Sequence, residues 1–237
     1  MGRTSLRIGP AVAAWLGAQQ MFFVATAPSD GGHVNVSPKG LDTLRVIGPH
    51  EVRYLDLTGS GVETIAHLRD NGRITLMFCA FSGPPRIVRL YGSGRVTEVG
   101  EDGYDELAAD FPAIRGARAV ITVEVDRVSD SCGYAVPLFE FVAQRSRLVE
   151  WAGEQSDQEL VEYRAEKNTS SIDGLPGFSR GEPPPSADEP ESSVTEPGPS
   201  SAPTGPIGPI GPTADPAAEA ALAARSEPTG EQAITTE

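Results

Sequence analysis

The sequence has few of the residues that build disulfide frameworks, metal clusters or membrane spans. Its 237 residues include two cysteines and three histidines, and no apolar run reaches 18 residues. Two cysteines are too few for a disulfide scaffold or a cysteine-based zinc site, so we expect two reduced, mostly buried thiols. The first 14 residues also lack the charged, apolar and cleavage regions of a secretory signal. These absences predict a cytosolic protein that does not span a membrane.

Basic residues are scarce as well. Lys and Arg number 19 against 33 Asp and Glu, which gives a formal net charge of -14 and a pI near 4.6. Nucleic acids and anionic membrane surfaces are bound chiefly through Lys and Arg. We therefore expect neither of them to be the main partner.

Aromatic residues are missing from the last 58 residues of the chain, 180–237. This stretch holds 12 of the 21 prolines and ten acidic residues against two basic ones. Such a composition cannot bury enough apolar surface to offset the entropy that is lost on ordering. The sequence therefore predicts one domain of ordinary size over residues 1–178 and a disordered acidic tail over residues 179–237.

Apolar segments of the first part predict a mainly β domain. Strands are predicted at 21–27, 33–37, 43–47, 52–57, 74–81, 87–99 and 119–128. Helices are predicted around 12–19 and at 62–70, 104–110, 139–151 and 158–167. Because the helices are too few to connect every strand of a parallel sheet, the pattern favours a small antiparallel barrel.

The most informative local motif is a strand that passes through a Gly/Ser turn into a helix. It reads LDLTGSGVETIAHL at residues 55–68. The turn exposes backbone N–H groups beside the positive end of the helix dipole, and the hydroxyl groups of Thr58, Ser60 and Thr64 add donors. This arrangement suits a phosphate, but an ordinary helix start has the same sequence features, so both interpretations stay open.

Basic residues on neighbouring strands favour the phosphate interpretation. Lys39 follows a Ser-Pro break, and Arg86 and Arg89 follow a Pro-Pro turn. Arg86 and Arg89 are three residues apart, so they point to opposite faces of a regular strand and at most one of them is needed at a shared site.

The sequence shows neither a nucleophilic triad nor a metal cluster. No Gly-x-Ser-x-Gly elbow is present. His33, His50 and His67 fall in a strand, a turn and a helix without the spacing of metal ligands. We expect each of them to be a surface or hydrogen-bonding residue.

Four segments follow one another in a recognisable order. They read HVNVSPKG at 33–40, YLDLTGSGVET at 54–64, RITLMF at 73–78 and PRIVRLYG at 85–92. Together they resemble the pyridoxamine 5'-phosphate oxidase-like family of flavin-binding split barrels, over about residues 10–178. The segments SCGY at 131–134 and SIDGLPG at 171–177 are similar to a bacterial branch of that family.

The resemblance implies a six-stranded split barrel with flanking helices. It also implies a homodimer that holds FMN in two clefts at the subunit interface, with the cofactor phosphate between the second strand, the turn before the helix and basic residues on the following strands. On this chain the implied cofactor-binding residues are Asn35, Ser37, Lys39, Thr58, Ser60, Thr64, Arg86 and Arg89.

The chain departs from the family pattern at one informative position. Pyridoxamine 5'-phosphate oxidases place an Arg-Lys pair at the start of the helix, where this chain has Glu63 and Thr64. It also lacks a counterpart of their C-terminal substrate-binding segment. These departures argue against pyridoxamine phosphate as the substrate.

Our leading hypothesis is an FMN-dependent oxidoreductase that acts on a small molecule, with Ser37 and Lys39 as hydrogen-bond donors near the flavin ring. The first alternative is a non-catalytic flavin- or haem-binding module, in which His33 or His67 would serve the haem. The second is an F420-dependent reductase, against which Glu63 counts. Fold similarity alone does not choose among them.

The segment 171–177 either closes the barrel or crosses to the other subunit and covers the cleft.

Overall fold

The structure is a computed structural model that describes residues 2–179. In chain order its elements are β1 (Arg3–Ser5), α1 (Pro10–Gly17), β2 (Phe22–Thr26), β3 (Asn35–Lys39), β4 (Leu44–Gly48), β5 (Glu51–Leu57), α2 (Glu63–Asn71), β6 (Arg73–Cys79), β7 (Ile87–Glu98), α3 (Tyr104–Ala108), β8 (Ala117–Ser131), α4 (Arg147–Glu154) and α5 (Asp157–Lys167). The predicted acidic tail from residue 180 onward lies outside the described residues. Within residues 2–179, no helix combines the length and the apolar character needed to cross a membrane.

All of these strands belong to one antiparallel sheet. The strand order is β3-β2-β6-β7-β8-β5-β4, and β1 pairs with β8. β8 is 15 residues long, and its first half pairs with β5 while its last residues pair with β1. The sheet is the split barrel that the sequence predicts, but with eight strands in place of six.

The main core lies on the inner face of the sheet. In β6, Ile74, Leu76 and Phe78 are at most 4% exposed, whereas the residues between them are half-buried. This alternation is the period of two that an extended strand imposes on its side chains. Leu16 of α1 and Ile65 of α2 are fully buried in the same cluster, so these two helices cover the inner face.

A smaller apolar cluster covers the other face of β5 and β8. Leu55 and Val120 from these strands pack there with Tyr104 and Phe111. Both faces of β8 are therefore buried over residues 118–123. That burial explains why Ala119, Val120 and Ile121 are consecutive apolar residues, where a strand with one exposed face would alternate.

One sequence expectation about secondary structure is wrong, and one strand was not predicted. The predicted helix at 139–151 is absent over 139–146, and α4 begins only at Arg147. Phe139 instead donates its N–H to the Phe81 carbonyl at 2.8 Å, and the two rings stack with centroids 5.4 Å apart. These contacts with Phe81, two residues after the end of β6, replace the hydrogen bonds of a helix in this segment. β1 was not predicted because its three residues are exposed and carry no apolar alternation.

The β7–β8 pairing predicts one strongly constrained glycine. The register shifts between Tyr91 and Gly92, and a Cβ on Gly92 would lie 1.9 Å from the Glu124 carbonyl oxygen. We expect Gly92→Ala to lower the free energy of unfolding by about 2–3 kcal/mol, measured by urea denaturation, because the two backbones must move apart.

The matched control is Gly48→Ala in β4, where a Cβ would meet nothing within 4 Å. We expect this change to alter the free energy of unfolding by less than about 1 kcal/mol. Equal losses for the two variants would contradict the close approach at Gly92.

Candidate functional site

A cleft of about 680 Å³ lies between β3, the end of β5, the start of α2 and the segment before α4. Its volume falls in the range of cofactor and small-molecule sites. One part of its wall is apolar and consists of Met21, Leu41, Leu55, Leu57, Phe141 and Leu148. The polar part of the wall contains several of the residues that the sequence predicts.

A buried carboxylate holds two cations of this cleft. Asp56 is 1% exposed, and its Oδ1 accepts from Lys39 Nζ at 2.8 Å while its Oδ2 accepts from Arg118 Nε at 2.7 Å. Burial alone raises the pKa of Asp56, but the charges and hydrogen bonds of Arg118 and Lys39 outweigh it and lower this pKa from 3.8 to about 2. Asp56 is therefore ionised at neutral pH, and both cations that it fixes line the cleft.

The Gly/Ser turn between β5 and α2 is held through its carbonyl oxygens. Arg118 Nη2 donates to the Gly61 carbonyl at 2.8 Å, and Asn168 Nδ2 donates to the Gly59 carbonyl at 2.9 Å. Arg118 Nη1 also donates to Asn168 Oδ1 at 2.8 Å. Asn168 is fully buried, so the turn rests on side chains from β8 and from the end of α5.

The N–H groups of the same turn have no acceptor. In the described part of the chain, no hydrogen bond uses the amide groups of residues 59–65 as donors. Gly59, Gly61 and Thr64 line the cleft. Free N–H groups at a helix N-terminus favour an anion. The cleft thus contains backbone donors that a bound anion would satisfy.

Asn35 connects two predicted hydroxyl groups of the cleft. Ser37 Oγ donates to Asn35 Oδ1 at 3.0 Å, and Asn35 Nδ2 donates to Thr64 Oγ1 at 3.0 Å and to Thr26 Oγ1 at 3.2 Å. Ser37, Lys39 and Thr64 all line the cleft. The structure therefore brings together four of the eight predicted residues, with Asn35 behind the other three.

Thr58 and Ser60 lie beside the cleft but not in its wall. Thr58 is 1% exposed, and its Oγ1 accepts from Arg164 Nε at 2.9 Å. Its hydroxyl group thus supports the turn from inside the protein. Ser60 is exposed at the tip of the turn.

Arg86 and Arg89 lie away from the cleft of their own chain. Arg86 pairs with Asp130 at 2.7 Å, and its guanidinium lies 4.8 Å from the centre of the Trp15 ring. Arg89 faces outward from β7 between Met77 and Ser129 of the adjacent strands. Among the described residues it has no ion pair or hydrogen bond, so its guanidinium is available to an external group.

The sequence reasoning missed Arg118, Asn168 and Arg164. Arg118 is 4% exposed. In the sequence it stands between two alanines of an apolar strand, and this position was the one signal that could have identified it as a site residue. Arg164 is 6% exposed and lies 5.6 Å from the centre of the Phe178 ring. Burial lowers the pKa of Arg164, and the charge of Arg118 lowers it further.

An acid stands at the start of α2. Glu63 lines the cleft, and its Oε2 would lie 2.6 Å from a Cβ on Gly61. Its Oε1 accepts from the Ile172 N–H at 3.4 Å. The carboxylate therefore lies against the turn whose N–H groups are free, where it repels an anion.

The segment 171–177 packs against its own chain. Asp173 accepts from His33 N at 2.8 Å and lies 2.7 Å from His33 Nδ1. The two hydrogen bonds with His33 lower the pKa of Asp173. Together with the contact from Ile172 to Glu63, they close this segment over the start of α2.

No histidine lines the cleft. His33 contacts Asp173, His50 Nδ1 lies 3.3 Å from the Val125 carbonyl oxygen, and His67 is fully buried. Within residues 2–179, His, Cys, Asp and Glu form no group of three or more that could hold a metal ion.

The two thiols differ in exposure. Cys79 is buried and Cys132 is exposed, and neither forms a disulfide. The expectation of a buried thiol is therefore wrong for Cys132, because this residue follows the end of β8, where the chain leaves the sheet.

The low pKa of Asp56 predicts a specific loss of stability in acid. Because the folded-state value of about 2 lies below 3.8, ionised Asp56 stabilises the protein fully above about pH 4, and this contribution is lost as the pH falls through 2. The shift corresponds to about 2 kcal/mol. We expect Asp56→Asn to lower the free energy of unfolding at pH 7 by about 3 kcal/mol, because it leaves two cations uncompensated.

Urea denaturation of wild type and variant at pH 7, 5, 4 and 3 checks this expectation. The difference between the two proteins should shrink by about 1 kcal/mol between pH 5 and pH 3. Asp42→Asn is the control, because Asp42 is 64% exposed in its ion pair with Arg45 and should cost less than about 1 kcal/mol. A difference for Asp56→Asn that does not change with pH would contradict the assignment.

Comparison with known proteins gives one family. A family model described as pyridoxamine 5'-phosphate oxidase matches residues 8–132. The pyridoxamine 5'-phosphate oxidase family protein ustO of Aspergillus flavus is 42% identical over 181 residues, which cover 69% of this chain and 73% of that protein.

Solved structures show weaker similarity. HupZ of Group A Streptococcus is 22% identical with a TM-score of 0.41, and the match covers 51% of this chain and 91% of that one. A FAD-binding protein of Mesorhizobium loti is 15% identical with a TM-score of 0.38, covering 55% and 95%. The family model and the Aspergillus relative carry the assignment, and the matched residues 8–132 include every strand except β1 and all eight predicted cofactor-binding residues. The chain belongs to the pyridoxamine 5'-phosphate oxidase family.

Proposed function

We propose that this protein is a flavoprotein that binds FMN in the cleft and acts as an oxidoreductase on a small molecule. Membership of the family supports a flavin. The observation that carries the proposal is the turn at residues 59–61, whose carbonyl oxygens are held by Arg118 and Asn168 while its N–H groups have no acceptor within residues 2–179. These donors share the cleft with the Lys39 ammonium group.

The residues of the cleft suit the two ends of a flavin mononucleotide. The free N–H groups of the turn, the Thr64 hydroxyl and the Lys39 ammonium are donors for a phosphate. The apolar wall, which includes Met21 and Phe141, suits a planar ring system. The cleft therefore has both parts that the cofactor requires.

The chain itself would bind the cofactor, orient it and supply a fixed charge. When bound, FMN supplies the electron-transfer chemistry. Lys39 keeps its ammonium at the cleft wall because Asp56 holds it, and a fixed positive charge stabilises negative charge that develops nearby. Ser37 already donates its hydrogen to Asn35, so it offers the ligand an acceptor and not the donor that the sequence predicts.

The proposal does not extend to pyridoxamine phosphate as the substrate. Glu63 puts a negative charge in the wall of the cleft, which adds to the repulsion between the phosphate of FMN and any second phosphate in the cleft. We propose a small substrate without a phosphate group. The unpaired thiols Cys79 and Cys132 are compatible with a cytosolic location, which we include in the proposal.

A homodimer with the cofactor at the interface is part of the proposal. Several large apolar side chains are exposed on this chain, among them Val34, Val36, Leu138, Phe139 and Phe141. Phe141 also lines the cleft, so the apolar surface continues into the site. A second copy covering it would remove this surface from water and could bring its Arg89 towards the cofactor.

The decisive experiment is an absorption spectrum of the purified protein, with mass spectrometry of whatever is released on denaturation. We expect a flavin spectrum and FMN at close to one per chain. A Soret band or a deazaflavin chromophore would overturn the FMN assignment in favour of haem or F420. A colourless protein that takes up none of the three would overturn the binding function itself. Bound FMN without turnover by any reductant or oxidant would reduce the proposal to a carrier or sensor.

Removal of either proposed cation should weaken the binding of FMN. We expect Lys39→Ala and Arg89→Ala to raise the Kd for FMN by about tenfold or more, because each removes a charged donor. Fluorescence titration of the flavin-free protein measures this. Arg95→Ala is the control, since Arg95 is exposed on the same strand as Arg89. Unchanged affinity in both test variants would refute the two assignments.

Removal of the acid at the start of α2 should strengthen the binding of FMN. We expect Glu63→Gln to lower the Kd for FMN by about tenfold at low ionic strength, with a smaller gain in high salt, because a repulsive charge beside the phosphate donors is lost. Glu106→Gln on α3, an exposed acid away from the cleft, should leave the Kd unchanged. Weaker binding by Glu63→Gln would show that the carboxylate holds the turn in place.

A further inference from the structure

A fully buried histidine lies behind the cleft. His67 is 0% exposed, and its Nδ1 lies 3.0 Å from Thr26 Oγ1. Its Nε2 is buried and has no hydrogen-bond partner in the described part of the protein. A buried ring nitrogen without a partner is destabilising. Its presence points to a role for the other nitrogen, which is bonded to Thr26.

Hydrogen bonds connect this histidine to the cleft. Thr26 is 4% exposed, and its Oγ1 accepts from Asn35 Nδ2 at 3.2 Å. The same amide nitrogen donates to Thr64 Oγ1 at 3.0 Å, and Asn35 Oδ1 accepts from Ser37 Oγ at 3.0 Å. Thr64 and Ser37 line the cleft. We name this set of five residues the hydroxyl relay: His67, Thr26, Asn35, Thr64 and Ser37.

The direction of the relay decides what the cleft offers to a ligand. In the structure Asn35 donates to Thr26, and in the described residues the acceptor within reach of the Thr26 hydroxyl hydrogen is His67 Nδ1. Thr64 then accepts from Asn35 and keeps its own hydrogen for the cleft. Ser37 has given its hydrogen to Asn35, so its oxygen offers lone pairs.

The opposite direction would exchange these roles. If His67 Nδ1 carried the hydrogen, Thr26 would accept from it, and within the five residues the buried Thr26 hydroxyl would gain an acceptor for its own hydrogen only by turning over the Asn35 amide. Thr64 would then donate to Asn35 Oδ1 and would have no hydrogen left for a ligand. The state of one buried ring nitrogen therefore sets the hydrogen-bonding character of two cleft hydroxyls.

We propose that His67 is a positioning residue that keeps Nδ1 unprotonated and thereby makes Thr64 a donor and Ser37 an acceptor toward the ligand. Thr64 lies in the first turn of α2, among the N–H groups that have no acceptor. The ligand group at Thr64 is accordingly an acceptor-only group such as a phosphate monoester. This inference rests on the proposed function and specifies how the cleft distinguishes FMN from riboflavin, whose terminal group is an alcohol.

The test compares the affinities of flavin-free protein for FMN and for riboflavin. Thr26→Val keeps the shape of the side chain but removes its hydroxyl, whereas Thr26→Ser keeps the hydroxyl. We expect Thr26→Val to reduce the ratio of the two affinities by about tenfold and Thr26→Ser to change it by less than about threefold. His67→Leu should act like Thr26→Val, and the double variant should be no worse than either, because both changes break the same chain of bonds.

A readout without flavin keeps failure of this inference separate from failure of the proposed function. Inorganic phosphate should raise the Tm of wild type and of Thr26→Ser, and this rise should be clearly smaller in Thr26→Val. Val52→Ala, which removes part of a fully buried core side chain on β5, should lower the Tm without changing the phosphate effect or the affinity ratio.

Two results would overturn the inference. One is an unchanged affinity ratio together with a full phosphate effect in Thr26→Val. The other is an equal loss of FMN and riboflavin binding, which would give His67 a structural role alone. In a third outcome, wild type binds neither flavin while the rise in Tm with phosphate is still larger in proteins that have a hydroxyl at residue 26. That result would refute the proposed function and support the hydroxyl relay.

Discussion

The buried ion pairs of Asp56 are the constraint on which the cleft depends. A carboxylate that is 1% exposed remains ionised only where opposite charges and hydrogen bonds replace its lost hydration. Lys39 of β3 and Arg118 of β8 do this for Asp56, which lies on β5. β3 and β5 are separated by β2, β6, β7 and β8 in the order of the sheet. The bond from Lys39 to Asp56 therefore joins parts of the sheet that meet only because it curls into a barrel.

Side chains of α5 and of the residue after it hold the turn before α2. Asn168 follows α5, and Arg164 lies within it, and each bonds a residue of the turn region that is more than 100 positions away in sequence. These side chains and Arg118 bind carbonyl and hydroxyl oxygens of the turn, whose N–H groups have no acceptor among the described residues. The Asp56 carboxylate thus orders Arg118, and α5 adds the remaining contacts to the turn, at the start of a helix where the positive end of the dipole favours an anion.

Every strand in the described residues except β1 was predictable to within three residues, because alternation of apolar side chains is a local property of the chain. The helix at 139–151 failed because its helical spacing is outweighed by the contact between Phe139 and Phe81, which no local pattern contains. Among the site residues, Ser37, Lys39 and Thr64 came from motifs that follow one another along the chain. Arg118 was missed because its role depends on the register that pairs Asp56 with Ala119 of β8. That register is set by the tertiary structure and cannot be inferred from the local sequence.

The charges of the cleft explain why the direction of hydrogen bonds matters here. Lys39 and Arg118 are balanced by Asp56 and Glu63, so these four groups carry no net charge, and among the described residues Arg145 is the other cation in the wall of the cleft. Where a site recognises phosphate by excess charge, any anion of suitable size is attracted, and the affinity falls steeply with salt. Where a site uses fixed N–H and O–H donors instead, a ligand must place its acceptor atoms opposite those donors. A hydroxyl whose hydrogen points away from the ligand then loses one hydrogen bond. The acid at the start of α2 and the buried histidine behind it are therefore parts of one arrangement, in which the loss of charge attraction is offset by donors whose direction is fixed from within the fold.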